Sequence, residues 1–211
     1  MGCFIVLEGP DGTGKSTLLR GIQRELEQTN LKVKYFREPG GCRLGEKIRA
    51  LLLDPELEMA PATEALLFAA NRSENYAQLK KDLRDYDLVI ADRFLLSSLA
   101  YQGEGLGLGM DRVLQINDFA LQGYRPDMHL LLLLDVEEGL KRKKKQKVLD
   151  RLERRKEEFH RKVTEGYLKL EKSGKYNIEI IDAGRAPEEI LDHCMKVIGR
   201  FIPANHEEEI L

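Results

Sequence analysis

The feature that most constrains this chain is the stretch Gly9-Pro10-Asp11-Gly12-Thr13-Gly14-Lys15-Ser16-Thr17. It follows the apolar run Phe4-Ile5-Val6-Leu7 and leads into a helical pattern that starts near Lys15. A strand, a loop with G-x-x-x-x-G-K-[ST] spacing and a helix together make a phosphate-binding unit. Without Cβ atoms, the backbone at Gly9, Gly12 and Gly14 can curl and aim its N–H groups at phosphate oxygens. The helix N-terminus adds partial positive charge. In this pattern Lys15 reaches the β- and γ-phosphates, and the Ser16 hydroxyl helps hold Mg²⁺. Short patterns also match by chance, but here the strand before and the helix after are both present.

The rest of the chain alternates strands and helices. Leu18, Leu19, Ile22 and Leu26 continue the first helix to about Gln28, and residues 32–36 alternate as a second strand. Arg37-Glu38-Pro39-Gly40-Gly41 reads as a loop. Residues 44–53 form a short helix, and Pro61 starts a long one reaching about Asp85. Residues 87–92 are a third strand with an acidic end, and 97–102 a helical turn or two. Gly103, Gly105, Gly107 and Gly109 make a flexible connection, and Asp111 caps a helix to about Gln122. The continuous apolar run within 128–135 indicates a strand buried on both faces. Helices over 137–144 and 153–172, a strand over 177–181 and a helix over 187–201 complete the pattern. It predicts an α/β fold with a parallel sheet. One domain over residues 1–202 is expected, with a disordered tail at 203–211. Active groups should gather at the carboxyl ends of the strands.

Composition narrows the partners. The 211 residues carry a net charge of −2, which does not call for nucleic acid or a membrane. Cys3, Cys42 and Cys194 are widely spaced and form no C-x-x-C pair, so neither a zinc site nor a disulfide framework is indicated. Cys3 and Cys194 read as small buried apolar residues. Met1-Gly2-Cys3 hints at lipidation, but Val6 stands where myristoylation wants Ser or Thr. No secretory signal is visible and no apolar run approaches membrane length, so the cytoplasm is the expected compartment.

Three further clusters fall near strand ends. Asp92 can act on Mg²⁺ or its waters and Arg93 can clamp a phosphate, or the two form an ordinary surface ion pair. Arg93, Ser97 and Tyr101 recur every four residues and can share a helical face. Phe68 and Arg72, also four apart, offer an aromatic plane and a guanidinium to a flat base, although a Phe68 taken alone is more often plain core. The basic run from Lys141 to Lys147, with Arg151, Arg154 and Arg155 beyond, is a solvated face, a nucleic-acid patch or a lid over phosphates.

Taken in order, these stretches resemble the thymidylate kinase family, which phosphorylates dTMP with MgATP. The resemblance is carried by Gly9–Thr17, Phe36–Gly41, Ile48–Leu53, Glu64–Arg72, Asp92–Gln102, Arg125-Pro126-Asp127, Asp150–Glu153 and Ile181-Asp182-Ala183. It implies a three-layer P-loop NTPase fold, a five-stranded parallel sheet flanked by helices, and a lid at about 143–153. It also implies a homodimer. Asp11 would sit near the dTMP 5′-phosphate, and Arg93 would bind that phosphate with Arg37 and Arg49 close by. Phe68 would stack on thymine, Arg72 would bond its edge, and Ser98 would face the base. Tyr101 would lie near the sugar 2′ position, beside Gln102. Arg142 would approach ATP, the loop through Arg185 would border adenine, and Pro39 would follow a cis peptide.

The chain departs from the family pattern in places. Gly12 stands where some members carry an arginine, so the catalytic cation should come from the lid. That lid is lysine-rich, with Gln146 where an arginine is expected, which leaves Lys144, Lys145, Lys147 or Arg151 as substitutes. Cys42 and Phe94 replace a common Thr and a common Tyr or His, and neither is expected to touch the core chemistry. Two other classes stay open here: a kinase for another small acceptor, and a binding protein with little turnover. A guanine-nucleotide switch is disfavoured because the chain has no Asn-Lys-x-Asp motif.

Overall fold

The structure is a computed structural model and describes residues 2–135, 137–139, 150–152 and 154–202. The helix expected beyond residue 139, Arg142, Gln146 with its neighbouring lysines, and the 203–211 tail lie outside the described residues.

Five strands form one parallel sheet: β1 (Cys3–Glu8), β2 (Val33–Arg37), β3 (Leu88–Asp92), β4 (Met128–Leu133) and β5 (Ile178–Asp182), in the order β2-β3-β1-β4-β5. The helices are α1 (Lys15–Leu26), α2 (Arg43–Leu53), α3 (Pro61–Asp85), α4 (Leu95–Ser98), α5 (Met110–Leu121), α6 (Glu157–Lys172) and α7 (Pro187–Gly199). Strand alternation sorts the core into two layers. Ile5, Leu7, Leu88, Ile90, Leu130 and Leu132 pack on α1 and α7. Phe4, Val6, Val89, Ala91 and Leu131 pack on α3, α5 and α6. Apolar residues of both parities are what a sheet covered on both faces requires.

Four local expectations are corrected. The turn after β3 is longer than predicted: α4 continues directly into a π-helical segment, Leu99–Gly105, which takes up Gly103 and Gly105. Close packing explains their use there, because a Cβ on Gly105 would meet the Phe159 ring at 2.7 Å. The N-cap of α5 is Gly109, with Asp111 inside the first turn, where its charge still favours the helix dipole. Finally, α6 starts at Glu157 rather than near 153, and Cys3 is only partly buried, whereas Cys194 is buried.

Candidate active site

The site is set by strand register. At the carboxyl edge of the sheet Arg37 stands opposite Asp92, and Asp92 opposite Leu7. One residue further on, Glu38 N donates to Asp92 O (3.0 Å) and Arg93 N to Leu7 O (2.9 Å). Three stretches distant in sequence thus meet where the glycine loop leaves β1. They open into a cleft of about 590 Å³ lined by loop residues Asp11, Gly12 and Gly14–Thr17 and by Arg37, Arg49, Phe68, Arg72, Asp92, Arg93, Ser98, Tyr101 and Gln102. Those predicted site residues share one cavity. Arg20, Glu38 and Leu152 line it as well and were not anticipated.

The loop is shaped by its neighbours. Gly12 has φ +81°, and a Cβ there would meet Gly139 O at 2.5 Å, so this loop geometry disfavours any side chain at position 12. Gly14 caps α1 with no side-chain hydrogen bond and no acidic residue in the first turn, leaving that helix end to an anion. Lys15 Nζ donates to Gly9 O (2.9 Å) and Pro10 O (2.7 Å), and Thr13 Oγ1 donates to Pro10 O (2.9 Å). Burial, helped by the Arg93 guanidinium, lowers the Lys15 pKa to about 7.

Arg93 stands at φ 69°, unusual for a residue with a side chain, and precedes the helix rather than sharing it. The predicted grouping with Ser97 and Tyr101 forms nonetheless. Its Nη1 donates to Gly9 O (2.9 Å) and Ser97 Oγ (3.2 Å), and its Nη2 to Asp11 Oδ1 (2.5 Å) and Tyr101 OH (3.1 Å). Beneath it lies Glu8, fully buried, which sequence reasoning passed over. Glu8 accepts from Phe94 N (3.0 Å), Ser97 N (3.2 Å), Ser97 Oγ (2.5 Å) and Tyr167 OH (3.0 Å). A carboxylate satisfied by four donors at the start of α4 fixes the turn that aims Arg93. An acidic residue ending an apolar strand was a usable signal for Glu8. Tyr167 offered none, since it reads as one more member of the α6 apolar stripe.

The opposite wall comes from α3. Arg72 is 1% exposed. Its Nε donates to Glu38 Oε2 (2.9 Å), Nη1 to Ser98 Oγ (2.8 Å) and to Asn117 Oδ1, and Nη2 to Phe94 O (2.8 Å), with Glu38 Oε2 also 2.7 Å from Nη2. Asn71 and Asn75 tie the loop after β2 to the same helix through Gly40 and Glu38. Within that loop the Glu38–Pro39 peptide is cis, as the resemblance implied. Phe94 does not line the cleft; its ring lies under the Arg72 guanidinium at 5.2 Å and its carbonyl holds Nη2, so it braces the site through Arg72. Cys42 caps α2, its sulfur accepting from Gly45 N at 3.1 Å.

Arg37 and Arg49 face the cleft, Arg37 beside Glu46 (3.3 Å) and Arg49 donating to Pro39 O (2.8 Å). Burial and the nearby Arg37 hold the Arg49 pKa below its ordinary value, against the opposing pull of Glu46, Asp150 and Asp92. Arg151 is corrected. It was expected at the phosphates, but it donates to Leu52 O (2.8 Å) and Glu64 Oε2 (2.8 Å) and does not line the cleft. A buried carboxylate captures it. Arg185 lies in the exposed turn after β5, 3.7 Å from Asp182, also off the cleft wall.

A parallel sheet of this order, a phosphate loop after its central strand and a facing arginine-lined pocket define a P-loop phosphotransferase acting on a small phosphorylated acceptor. Comparison with known proteins narrows the class. The thymidylate kinase family model matches residues 7–193. The chain is 45% identical to the thymidylate kinase of Finegoldia magna over 199 residues, 93% of this chain and 98% of that protein. It is 41% identical to that of Lactobacillus delbrueckii subsp. bulgaricus over 207 residues, 96% and 98% of the two chains. It is 40% identical to that of Clostridium novyi over 195 residues, 90% and 95%. The chain belongs to the thymidylate kinase family.

Proposed function

We propose that this enzyme transfers the terminal phosphoryl group of ATP to the 5′-phosphate of dTMP, giving dTDP and ADP. The observation that carries this reading is one cleft lined both by the phosphate loop and by Phe68, Ser98 and Tyr101. An oxygen of the dTMP phosphate attacks the γ-phosphorus, and the bond from that phosphorus to the β,γ-bridging oxygen breaks. The attacking oxygen is already ionised, so no general base is needed. Lys15 and the α1 N-terminus meet the donor phosphates. Arg37, Arg49 and Arg93 hold the acceptor phosphate, with Asp11 fixing Arg93, so catalysis is positioning and charge stabilisation. Phe68 stacks on thymine, Arg72 hydrogen-bonds its edge and Ser98 faces the base. Tyr101 closes the sugar's 2′ side, beside Gln102. Arg185 belongs to the turn we assign to adenine.

The residues present fit Mg²⁺. Asp92 Oδ1 is buried in the cleft with no hydrogen-bond partner among the described residues, and the Ser16 hydroxyl lines the same cavity. Oxygen donors completed by substrate phosphates suit this ion. Bound there, Mg²⁺ supplies charge neutralisation on the phosphates.

We also assign the enzyme a homodimeric state. The family resemblance supports it, as do exposed Leu44 and Leu51 on α2, Leu66 on α3 and Phe119 on α5, helices that neighbour one another. No described helix is long and apolar enough to cross a membrane. With three free cysteines, that supports a cytoplasmic enzyme.

The test is ADP release with a panel of monophosphates. dTMP is preferred, and equal or better use of dGMP, CMP or UMP refutes the acceptor assignment. Phe68→Ala raises the KM for dTMP by about ten-fold or more and leaves the KM for MgATP unchanged.

A further inference from the structure

Glu64 lies on α3 one turn before Phe68, is fully buried and does not line the cleft. It accepts from three side chains of two other segments: Gln102 Nε2 (2.9 Å), Arg151 Nη2 (2.8 Å) and Arg155 Nη2 (2.5 Å). Those segments make two cleft walls. Gln102 faces the cavity from the π-helical segment. Leu152, next to Arg151, lines the cavity and belongs to the same small apolar cluster as Phe68, Ile48 and Leu52. Arg155 lies 4.6 Å from the Phe159 ring, whose edge packs on Tyr101. An apolar side chain at position 64 would serve simple packing as well or better, because buried ion clusters carry a large desolvation penalty. What a carboxylate adds here is direction: it fixes both segments relative to α3.

We propose that Glu64 is a positioning residue that sets the acceptor nucleoside pocket by holding the Gln102 wall and the Leu152 wall against α3. This rests on the assignment of dTMP to the Phe68 end of the cleft. Glu64 touches neither substrate and acts through Gln102 and Arg151. Substituting its charge displaces the walls around base and sugar while the phosphate loop, built on β1 and α1, keeps its shape.

Glu64→Gln tests this with both substrates titrated separately and folding checked by circular dichroism and thermal unfolding. The KM for dTMP rises about ten-fold or more, since misplacement of positioning groups is costly in this range. The KM for MgATP stays within about two-fold. Adding Arg155→Met to Glu64→Gln recovers part of the dTMP KM by removing one uncompensated cation. A folded Glu64→Gln enzyme with unchanged dTMP KM, or with both KM values raised alike, overturns the proposal. Should Glu64→Gln not fold, Arg155→Met alone removes one donor from a partly exposed position and must show the same split, more weakly; no split there overturns it. Phe68→Ala runs in parallel. If it raises the dTMP KM and the Glu64 variants do not, the positioning role fails while the acceptor site stands. If neither does, the acceptor site itself fails.

Discussion

Lys15 offers a quantitative test, because nucleotide binding must change its protonation. In the nucleotide-free protein burial and Arg93 lower its pKa from 10.5 to about 7, against the smaller pull of Asp11, Asp92 and Glu8. Bound phosphates add negative charge beside Nζ and return the pKa toward its ordinary range. At pH 8 roughly one tenth of free sites are protonated and nearly all bound sites are, so binding takes up about 0.9 proton; at pH 7 it takes up about 0.5. Apparent affinity then weakens by up to about ten-fold per pH unit above 7. The assay is calorimetric titration with MgATP, whose terminal phosphate is already ionised in this range, in buffers of different ionisation enthalpy. The slope of observed heat against buffer enthalpy counts the protons, and Lys15→Met, which has no titratable group, removes them. The same shift acts on stability. Between pH 7 and 10.5 the unfolded chain holds a proton on Lys15 that the folded, nucleotide-free protein lacks, so that protein grows more stable as pH rises through this window. A zero slope at pH 8 with affinity constant from pH 6.5 to 8.5 refutes the reasoning.

Gly12→Ala places a Cβ against Gly139 O at φ +81°, so backbone strain of about 1–3 kcal/mol should lower the melting temperature and kcat together. An unchanged enzyme in scanning fluorimetry and turnover assays counts against this loop geometry. Arg72→Met leaves Glu38 buried without its cation and should cost about 3–5 kcal/mol in urea unfolding, part of which Glu38→Gln restores in the double variant. Equal losses in single and double variants would show that the pair is not coupled. His129 is 1% exposed, and burial, then Arg125, lower its pKa to about 3. Below pH 6.5 the unfolded chain takes up a proton that the folded one does not, so stability falls on acidification, by about 2 kcal/mol from this group between pH 6.5 and 5. His129→Leu should shrink the difference in unfolding free energy between those pH values by that amount, and an unaltered difference refutes it.

Much of the site was legible in the chain because its residues sit in local patterns with local physical meaning. The loop spacing, the acidic end of β3 and the four-residue spacing of Phe68 and Arg72 each placed a functional group at a predictable point of an element. The sheet also leaves a local trace, since apolar residues of both parities in 128–133 state burial on two faces. Arg151 shows where such reasoning stops. Its position in a basic stretch pointed to phosphates, yet its partner is Glu64, 87 positions earlier, on a helix whose buried face carries polar groups. No local pattern registers a pairing of that kind.

The sequence by itself determined the glycine loop, the alternation of strands and helices, and the identity of many of the cations and aromatics that line the cleft. The loop and the alternation follow from backbone freedom and periodicity, both properties of short stretches. Only the tertiary structure decided how those groups are held. Glu8 meets Tyr167 across 159 positions, Glu38 meets Arg72 across 34, and Glu64 gathers Gln102 and two arginines. A buried carboxylate must find its donors wherever the fold brings them. Strand register, which sets Arg37 beside Asp92 and Asp92 beside Leu7, is what brings them.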